Sequence, residues 1–287
     1  MQNSYGVIDI GSLKVKFLIA SIDHNKNFSE VYSSSVLTCF GCERVDNGGA
    51  IVDKNAQKTF AEVQRCKDLL VKHDVKQYRV IATEALRKAT NSQEITQYLK
   101  SIVEHPIEII SAQEEAELFF NAVMADMPEY LNDHLIVDMG GGSVQLIFGN
   151  KHQIKDLALL PTGAQHLHDV FVKDAHNEHS KTEPEELKLL QKYIQTELQK
   201  TPINHQLYQQ IPIIYGSSNI LELFQHINLP LENNGPSKSH AYSTHPSHLE
   251  KFINQMLPLT FAEREAKFNF QKGYMWGVDK AFSNIIA

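Results

Sequence analysis

The sequence predicts a two-domain α/β protein. A strand-turn-strand unit of one design occurs twice, nearly half a chain apart, and the stretches between and after the two units alternate between strand-like and helix-like periodicity. The chain of 287 residues also exceeds what one hydrophobic core usually organises. Its usage is ordinary for a globular protein, 42% hydrophobic and 21% charged, which excludes collagen-like, disordered and low-complexity chains.

The first unit opens the chain. Tyr5–Ile10 is apolar and β-branched, Gly11 and Ser12 make a turn, and Val15–Ile22 is apolar again. The second unit, Leu135–Gly149, reads LIVDM, then Gly140-Gly141-Gly142-Ser143, then VQLIFG. Asp138 occupies in it the place that Asp9 holds in the first, so the two halves repeat weakly. Between them, Asn55–Lys72 spaces Phe60, Val63, Leu69 and Leu70 as a helix does, and Tyr78–Thr83 reads as a buried strand. Asn91 with Glu94 marks the start of a short helix, and Pro106–Ile110 reads as a strand. Ser111 with Glu114 has the spacing of a capping box, opening a helix that lines up Ala116, Phe119, Phe120 and Val123. In the second half, Ile154–Leu160 and Ile211–Tyr215 predict strands, and Thr182 with Glu185 predicts the capped start of a helix over Pro184–Leu198. Residues 231–248 are polar and predict a long loop, and Gly273–Ile285 predicts a closing helix.

Charge and minor motifs narrow the function classes. A formal net charge of −7 disfavours a sequence-blind nucleic-acid or anionic-membrane binder, while a small anionic ligand stays open. No apolar run approaches the ~18 residues of a membrane span, and the N-terminus has no signal-peptide pattern, so a soluble cytoplasmic protein is expected. Cys39 and Cys42 form a CxxC without a second pair, and Cys66 stands apart, so two ordinary thiols are expected there rather than a zinc or redox site. The histidine pairs His166/His168, His176/His179 and His245/His248 lack carboxylates at a recognised ligand spacing and predict no metal site.

The segment DMGGGS at 138–143 carries the chemistry. Three consecutive glycines between apolar strands let backbone approach a ligand and turn successive N–H groups toward it, which suits phosphate. A tight hairpin alone needs only two such residues. Gly11-Ser12 and Gly216-Ser217-Ser218 are further small-residue turns at strand ends, and three together are better evidence than any one. Asp9 and Asp138 stand where each strand meets its turn. Two carboxylates beside a phosphate would repel it by about 4 kcal/mol per close pair at an effective dielectric of about 20, a conflict that an interposed Mg²⁺ resolves. Asp9 taken alone also suits a turn cap. For a base, Glu115 and Glu117 both lie at the border of the apolar helix face while Glu114 points away; helix geometry does not choose between the two, and all three also suit the helix dipole.

The residues DIGS at 9–12, ATEALRKATN at 82–91, SAQEEAELFFNAV at 111–123 and VDMGGGSVQLIFG at 137–149 resemble, in this order, the motifs of the exopolyphosphatase/guanosine pentaphosphate phosphohydrolase (Ppx/GppA) family. That family belongs to the superfamily of actin, sugar kinases and heat-shock chaperone ATPases. Weaker likenesses follow at 160–171, 215–221 and 261–268. The resemblance implies two actin-like (ribonuclease H-like) lobes, taken as residues 1–123 and 124–287, with the active site in a cleft between them. It implies hydrolysis of a terminal phosphoanhydride of polyphosphate or guanosine pentaphosphate with Mg²⁺ (or Mn²⁺). It matches Glu115 to the catalytic glutamate and Arg87 to an arginine facing substrate phosphate. Asp138, Gly140 and Ser143 match the metal and phosphate positions of the second glycine turn. Gly141 and Gly142 complete that turn, Gly11, Ser12, Gly216 and Ser217 join the phosphate-binding set, and Asp9 joins Asp138 at the metal.

The sequence departs from the family at several of these positions. Leu13 and Lys14 replace an Asn-Ser pair, Val144 and Gln145 replace Thr-Glu, and Asn219 and Ile220 stand where a Gly-Thr pair is usual. Lost donors and one lost carboxylate would weaken metal binding, and Lys14 would supply positive charge to phosphate instead. Two competing readings therefore stand beside the hydrolase: a polyphosphate- or nucleotide-binding sensor whose catalysis has decayed, and an ATP-dependent kinase of the same superfamily. The expected partner is a phosphate-rich small molecule, with no nucleic acid and no membrane. Superfamily relatives often pair, which leaves a homodimer open.

Overall fold

The computed structural model describes residues 3–24, 27–44, 46–126, 133–172, 179, 181–204, 214–217, 232–233, 242–243 and 246–268. The chain divides into two compact units, Met1–Phe119 with Gly140–Gly142, and Phe120–Met139 with Ser143–Ala287.

The first unit contains a five-stranded sheet. Its strands are β1 (Asn3–Ile10), β2 (Lys14–Ile22), β3 (Phe28–Leu37), β4 (Gln77–Ala82) and β5 (Glu108–Ile109), in the order β3-β2-β1-β4-β5. β2 runs antiparallel to both neighbours, while β4 and β5 run parallel to β1. Alternation along β2 buries Val15, Phe17 and Ile19 and leaves Lys16 exposed, as one buried sheet face requires. Those three join Ile8 and Ile10 of β1 in the core, each burial contributing roughly 1.5–3 kcal/mol. Helix α1 (Asp53–Lys72) adds Phe60, Val63, Cys66 and Leu70, and α3 (Ser92–Val103) adds Ile95, Leu99 and Val103. The short α2 (Glu84–Lys88) follows β4 directly, and α4 (Ala112–Asp126) follows β5.

The second unit repeats the same sheet plan. Its strands β6 (His134–Met139), β7 (Val144–Asn150), β8 (Gln153–Leu160) and β9 (Ile214–Ser217) lie in the order β8-β7-β6-β9. β7 is antiparallel to β6 and β8, and β9 is parallel to β6. The halves' likeness in sequence is thus a likeness of sheet order and strand sense, that of an actin-like (ribonuclease H-like) sheet. Asp9 and Asp138 are each the penultimate residue of their unit's first strand. Helices α5 (Ala164–Phe171) and α6 (Pro184–Lys200) pack Leu167 against Leu190 and Ile194. A two-residue ladder joins β10 (Glu232–Asn233) to β11 (Tyr242–Ser243). The described chain ends with α7 (Pro246–Met256) and α8 (Phe261–Phe268). No helix among the described residues is long and apolar enough to cross a membrane.

Several expectations from sequence need correction. β3 has no apolar alternation in its SEVYSSS run; as the last strand of its sheet it is held by pairing with β2. Asn91 does precede α3, but its amide exchanges hydrogen bonds with the backbone of Ile51 (2.9 and 3.1 Å) instead of capping the helix. The box at α6 sits one residue later than expected, with the Glu186 carboxylate accepting from the Glu183 amide at 2.9 Å. Gly216 and Ser217 do not form a loop; they are the last residues of β9, opposite Val137 and Asp138. The polar stretch 231–248 contains the β10–β11 ladder and the first turn of α7. Ser218, His176, His245, Asn219, Ile220 and the helix expected at Gly273–Ile285 lie outside the described residues.

Candidate active site

The turn between β1 and β2 is closed by the Gly11 amide donating to the Lys14 carbonyl at 3.0 Å. The CxxC segment wraps it from outside. The Gly41 amide donates to the Ser12 carbonyl at 2.7 Å, and the Thr38 and Cys39 amides both donate to the Leu13 carbonyl. Ser12 and Leu13 are buried in consequence. Against them lies the glycine turn: a methyl group placed on Gly141 would stand 2.9 Å from Leu13 Cγ and 3.1 Å from Ser12 Cβ. A methyl group on Gly142 would overlap the carboxylate of Glu84. Glycine at 141 and 142 therefore answers to close approach by other chain segments.

Glu84 was not among the residues singled out from sequence. Its side chain is 7% exposed; Oε2 accepts from the Ser12 hydroxyl at 2.9 Å, and Oε1 accepts from Arg44 Nη2 at 3.1 Å and Lys88 Nζ at 3.0 Å. Burial pushes this carboxyl up, but Lys88, Arg44 and Ser12 outweigh it and hold it below the ordinary carboxylate value. The visible signal was the Glu84/Lys88 spacing on one helix face. Because the Ser12 hydroxyl has one proton and gives it to Glu84, what this turn offers an anion is main-chain N–H.

Arg87, at the end of α2, divides its guanidinium between two acceptors. Nη1 donates to the Ile110 carbonyl at 2.7 Å and Nη2 to Glu115 Oε2 at 2.9 Å. The two side chains are 19% and 23% exposed. The neighbouring carboxylates are engaged elsewhere. Glu114, 45% exposed, bonds Arg79 while its amide donates to the Ser111 hydroxyl, and the exposed Glu117 accepts from Gln113. Ala116, Phe120 and Met124 form the buried stripe of α4, and Phe119 and Val123 flank it. Enclosure and an arginine partner separate Glu115 from Glu117, a choice that helix geometry alone left open.

The two strand-end aspartates differ in surroundings. Asp9 faces Lys16 across the β1–β2 ladder, yet its Oδ1 is out of solvent and has no hydrogen-bond partner. Burial pushes its carboxyl up from the ordinary value, and Lys16 pulls it back only in part. Asp138 is half-buried, with Gln145 opposite it on β7 and Ser217 opposite it on β9. Gln145 is buried and its Oε1 also has no hydrogen-bond partner. Mg²⁺ takes oxygen ligands and needs only one or two carboxylates, so an orphaned acceptor such as Asp9 Oδ1 fits it. No group of three or more His, Cys, Asp or Glu able to hold a metal occurs among the described residues. Lys14 opens β2, half-buried, and Ser143 ends the glycine turn.

Cys39, Cys42 and Cys66 are buried and outside any disulfide, and burial pushes Cys66 up to about 12. His166 meets the Tyr193 hydroxyl between α5 and α6, and His168 meets its chain neighbour Asp169 within α5.

Comparison with known proteins identifies the class and then the family. The sheets already define an actin-like α/β protein. The family pattern described as Ppx/GppA phosphatase matches residues 18–271, and the chain belongs to that family. It is 31% identical over 177 residues to a guanosine-5'-triphosphate,3'-diphosphate pyrophosphatase of Vibrio vulnificus; the match covers 59% of this chain and 34% of that protein. The chain thus spans about a third of the length of that curated relative. Among solved structures, the fold resembles an exopolyphosphatase from Cytophaga hutchinsonii (TM-score 0.80, 22% identity, 99% of this chain and 89% of that one). It also resembles the Ppx/GppA family member of Aquifex aeolicus (TM-score 0.73, 23% identity, 100% and 88%).

Proposed function

We propose that the protein is a phosphoanhydride hydrolase that releases the terminal phosphate of inorganic polyphosphate or guanosine pentaphosphate. The observation that carries this reading is the Arg87–Glu115 pair, 2.9 Å apart and part-buried, on two segments that resemble the family's motifs. Arg87 is itself fixed by the Ile110 carbonyl, so it holds the Glu115 carboxylate in one orientation. Glu115 takes a proton from water as the water oxygen bonds to the terminal phosphorus; the bridging P–O bond breaks, and the shortened chain leaves as an anion. Main-chain N–H groups of the Ser12 and Gly140–Gly142 turns grip the phosphate oxygens, with Lys14 adding charge. Mg²⁺ held at Asp138 or at Asp9 would offset the negative charge of the phosphate chain. The relative from Vibrio vulnificus is named for action on a guanosine polyphosphate and the structural neighbour from Cytophaga hutchinsonii for polyphosphate, which supports both substrates as candidates.

A second reading is a phosphate-ligand sensor. Leu13 favours it, because an apolar side chain packs against Gly141 where the family's usual Asn would offer a donor. A phosphate-release assay on both substrates, across a Mg²⁺ and Mn²⁺ series, decides between the two. Turnover supports the hydrolase, and tight binding without release supports the sensor.

A further inference from the structure

Glu84 is a buried carboxylate joined to three separate stretches of chain, and the reaction scheme gives it no part. It accepts from the Ser12 hydroxyl of the first turn, from Arg44 of the 38–49 segment and from Lys88 of its own helix. Its other side lies on the bare backbone of Gly142, where no side chain fits. Arg44 is fixed in turn, its Nη1 donating to the Lys88 carbonyl at 3.3 Å.

We propose that Glu84 is a positioning residue: its carboxylate clamps the Ser12 turn and the Gly142 turn at a fixed spacing, so that their main-chain N–H groups present one rigid grip to a phosphate chain. The reasons are physical. A carboxylate has lone pairs for three or four donors, and here three side chains fill them, so it cannot rotate away from the turn it supports. A Gln in its place keeps the size and can keep an oxygen on Arg44 and Lys88, but its NH₂ then faces the Ser12 hydroxyl, which must turn from donor to acceptor, and the negative charge is lost. A negative charge next to a phosphate site would normally oppose substrate. The two cations on Oε1 leave the cluster with one net positive charge, so the clamp does not repel an anion. By accepting the Ser12 hydroxyl hydrogen bond, Glu84 also assigns gripping to the backbone. Displacement of gripping groups by about 1 Å can lower a rate roughly 100-fold.

This inference rests on the reading that the turns hold phosphate, so its test has one readout that needs no substrate. In Glu84→Ala, amide hydrogen exchange in peptides covering 10–14 and 139–144 is expected to accelerate at least tenfold, with peptides of β6 and β7 beyond the turn unchanged. On tripolyphosphate, kcat is expected to fall 10- to 100-fold with KM changed less than threefold. Gly142→Ala forces the same displacement from the other side. The Glu84→Ala/Gly142→Ala double variant, where the methyl fills vacated space, is expected to be no slower than the poorer single variant. Glu84→Gln covers the case in which Glu84→Ala does not fold, and should show both effects at reduced size. Unchanged exchange at the turns overturns the clamp whatever the activity. Faster exchange with unchanged kcat, or multiplying losses in the double variant, overturns its role in positioning. A wild-type protein that releases no phosphate, with exchange still faster in Glu84→Ala, overturns the hydrolase reading and leaves the clamp supported.

Discussion

Arg87 Nη2 donates to Glu115 Oε2 at 2.9 Å while Nη1 of the same guanidinium donates to the Ile110 carbonyl at 2.7 Å. One planar group thus ties the helix after β4 to both the end of the β5 segment and the first turn of α4. A lysine can supply one of these bonds but not the fork. Arg87→Lys should therefore retain the fold and lose about 10-fold or more in kcat, and Arg87→Ala should lose more, because the half-buried Glu115 carboxylate is then left without its cation. Steady-state phosphate release at fixed pH checks the order; equal loss in both variants would assign Arg87 to substrate charge alone.

Asp9 makes a prediction about stability. Its folded-state carboxyl is raised by burial, so the folded protein binds the proton more tightly than the unfolded chain does. That contribution is fully present below the ordinary aspartate value and is lost as pH rises through the folded value. At pH 8 the buried charge is a penalty that Asp9→Asn removes. The variant should melt a few degrees higher than wild type at pH 8, with the gain shrinking toward pH 4, and its metal-dependent turnover should fall. Thermal melts across pH measure the first, and release assays at saturating Mg²⁺ the second.

The metal itself can be removed. Chelation should abolish phosphate release and Mg²⁺ or Mn²⁺ should restore it, since a carboxylate such as Asp138 or Asp9 would otherwise face phosphate oxygens uncompensated. Full activity in excess chelator would take the divalent ion out of the account.

The buried Cys66 thiol gives a control on the fold. Cys66 is fully buried in the first core with its thiol pushed up to about 12. It should resist alkylation in the native protein at pH 8 and react on denaturation, as mass spectrometry of the Cys66 peptide would show. Rapid native labelling would contradict the packing of α1 on the sheet.

Much of the sheet was legible because strand alternation and glycine turns are local signals. The β1–β2 and β6–β7 hairpins announce themselves, and with them the repeat that places Asp9 and Asp138 alike. What escaped depends on partners far along the chain. β3 is a strand because β2 pairs with it, despite its serine-rich sequence. Asn91 follows the helix-start pattern but spends its amide on Ile51. Glu84 reads as an ordinary helical residue until Ser12 and Gly142 are brought beside it. Glu115 and Glu117 are equivalent by helix geometry and are told apart by Arg87, which comes from another element.

Glu115 is proposed to activate water for attack on a terminal phosphate. The most direct measurement is phosphate release by Glu115→Gln from polyphosphate and from guanosine pentaphosphate, beside the binding of each to the same variant. Release is expected to fall by about 100-fold or more, within the usual range for a general base, with binding within a few-fold of wild type. Turnover by Glu115→Gln at the wild-type rate would contradict it.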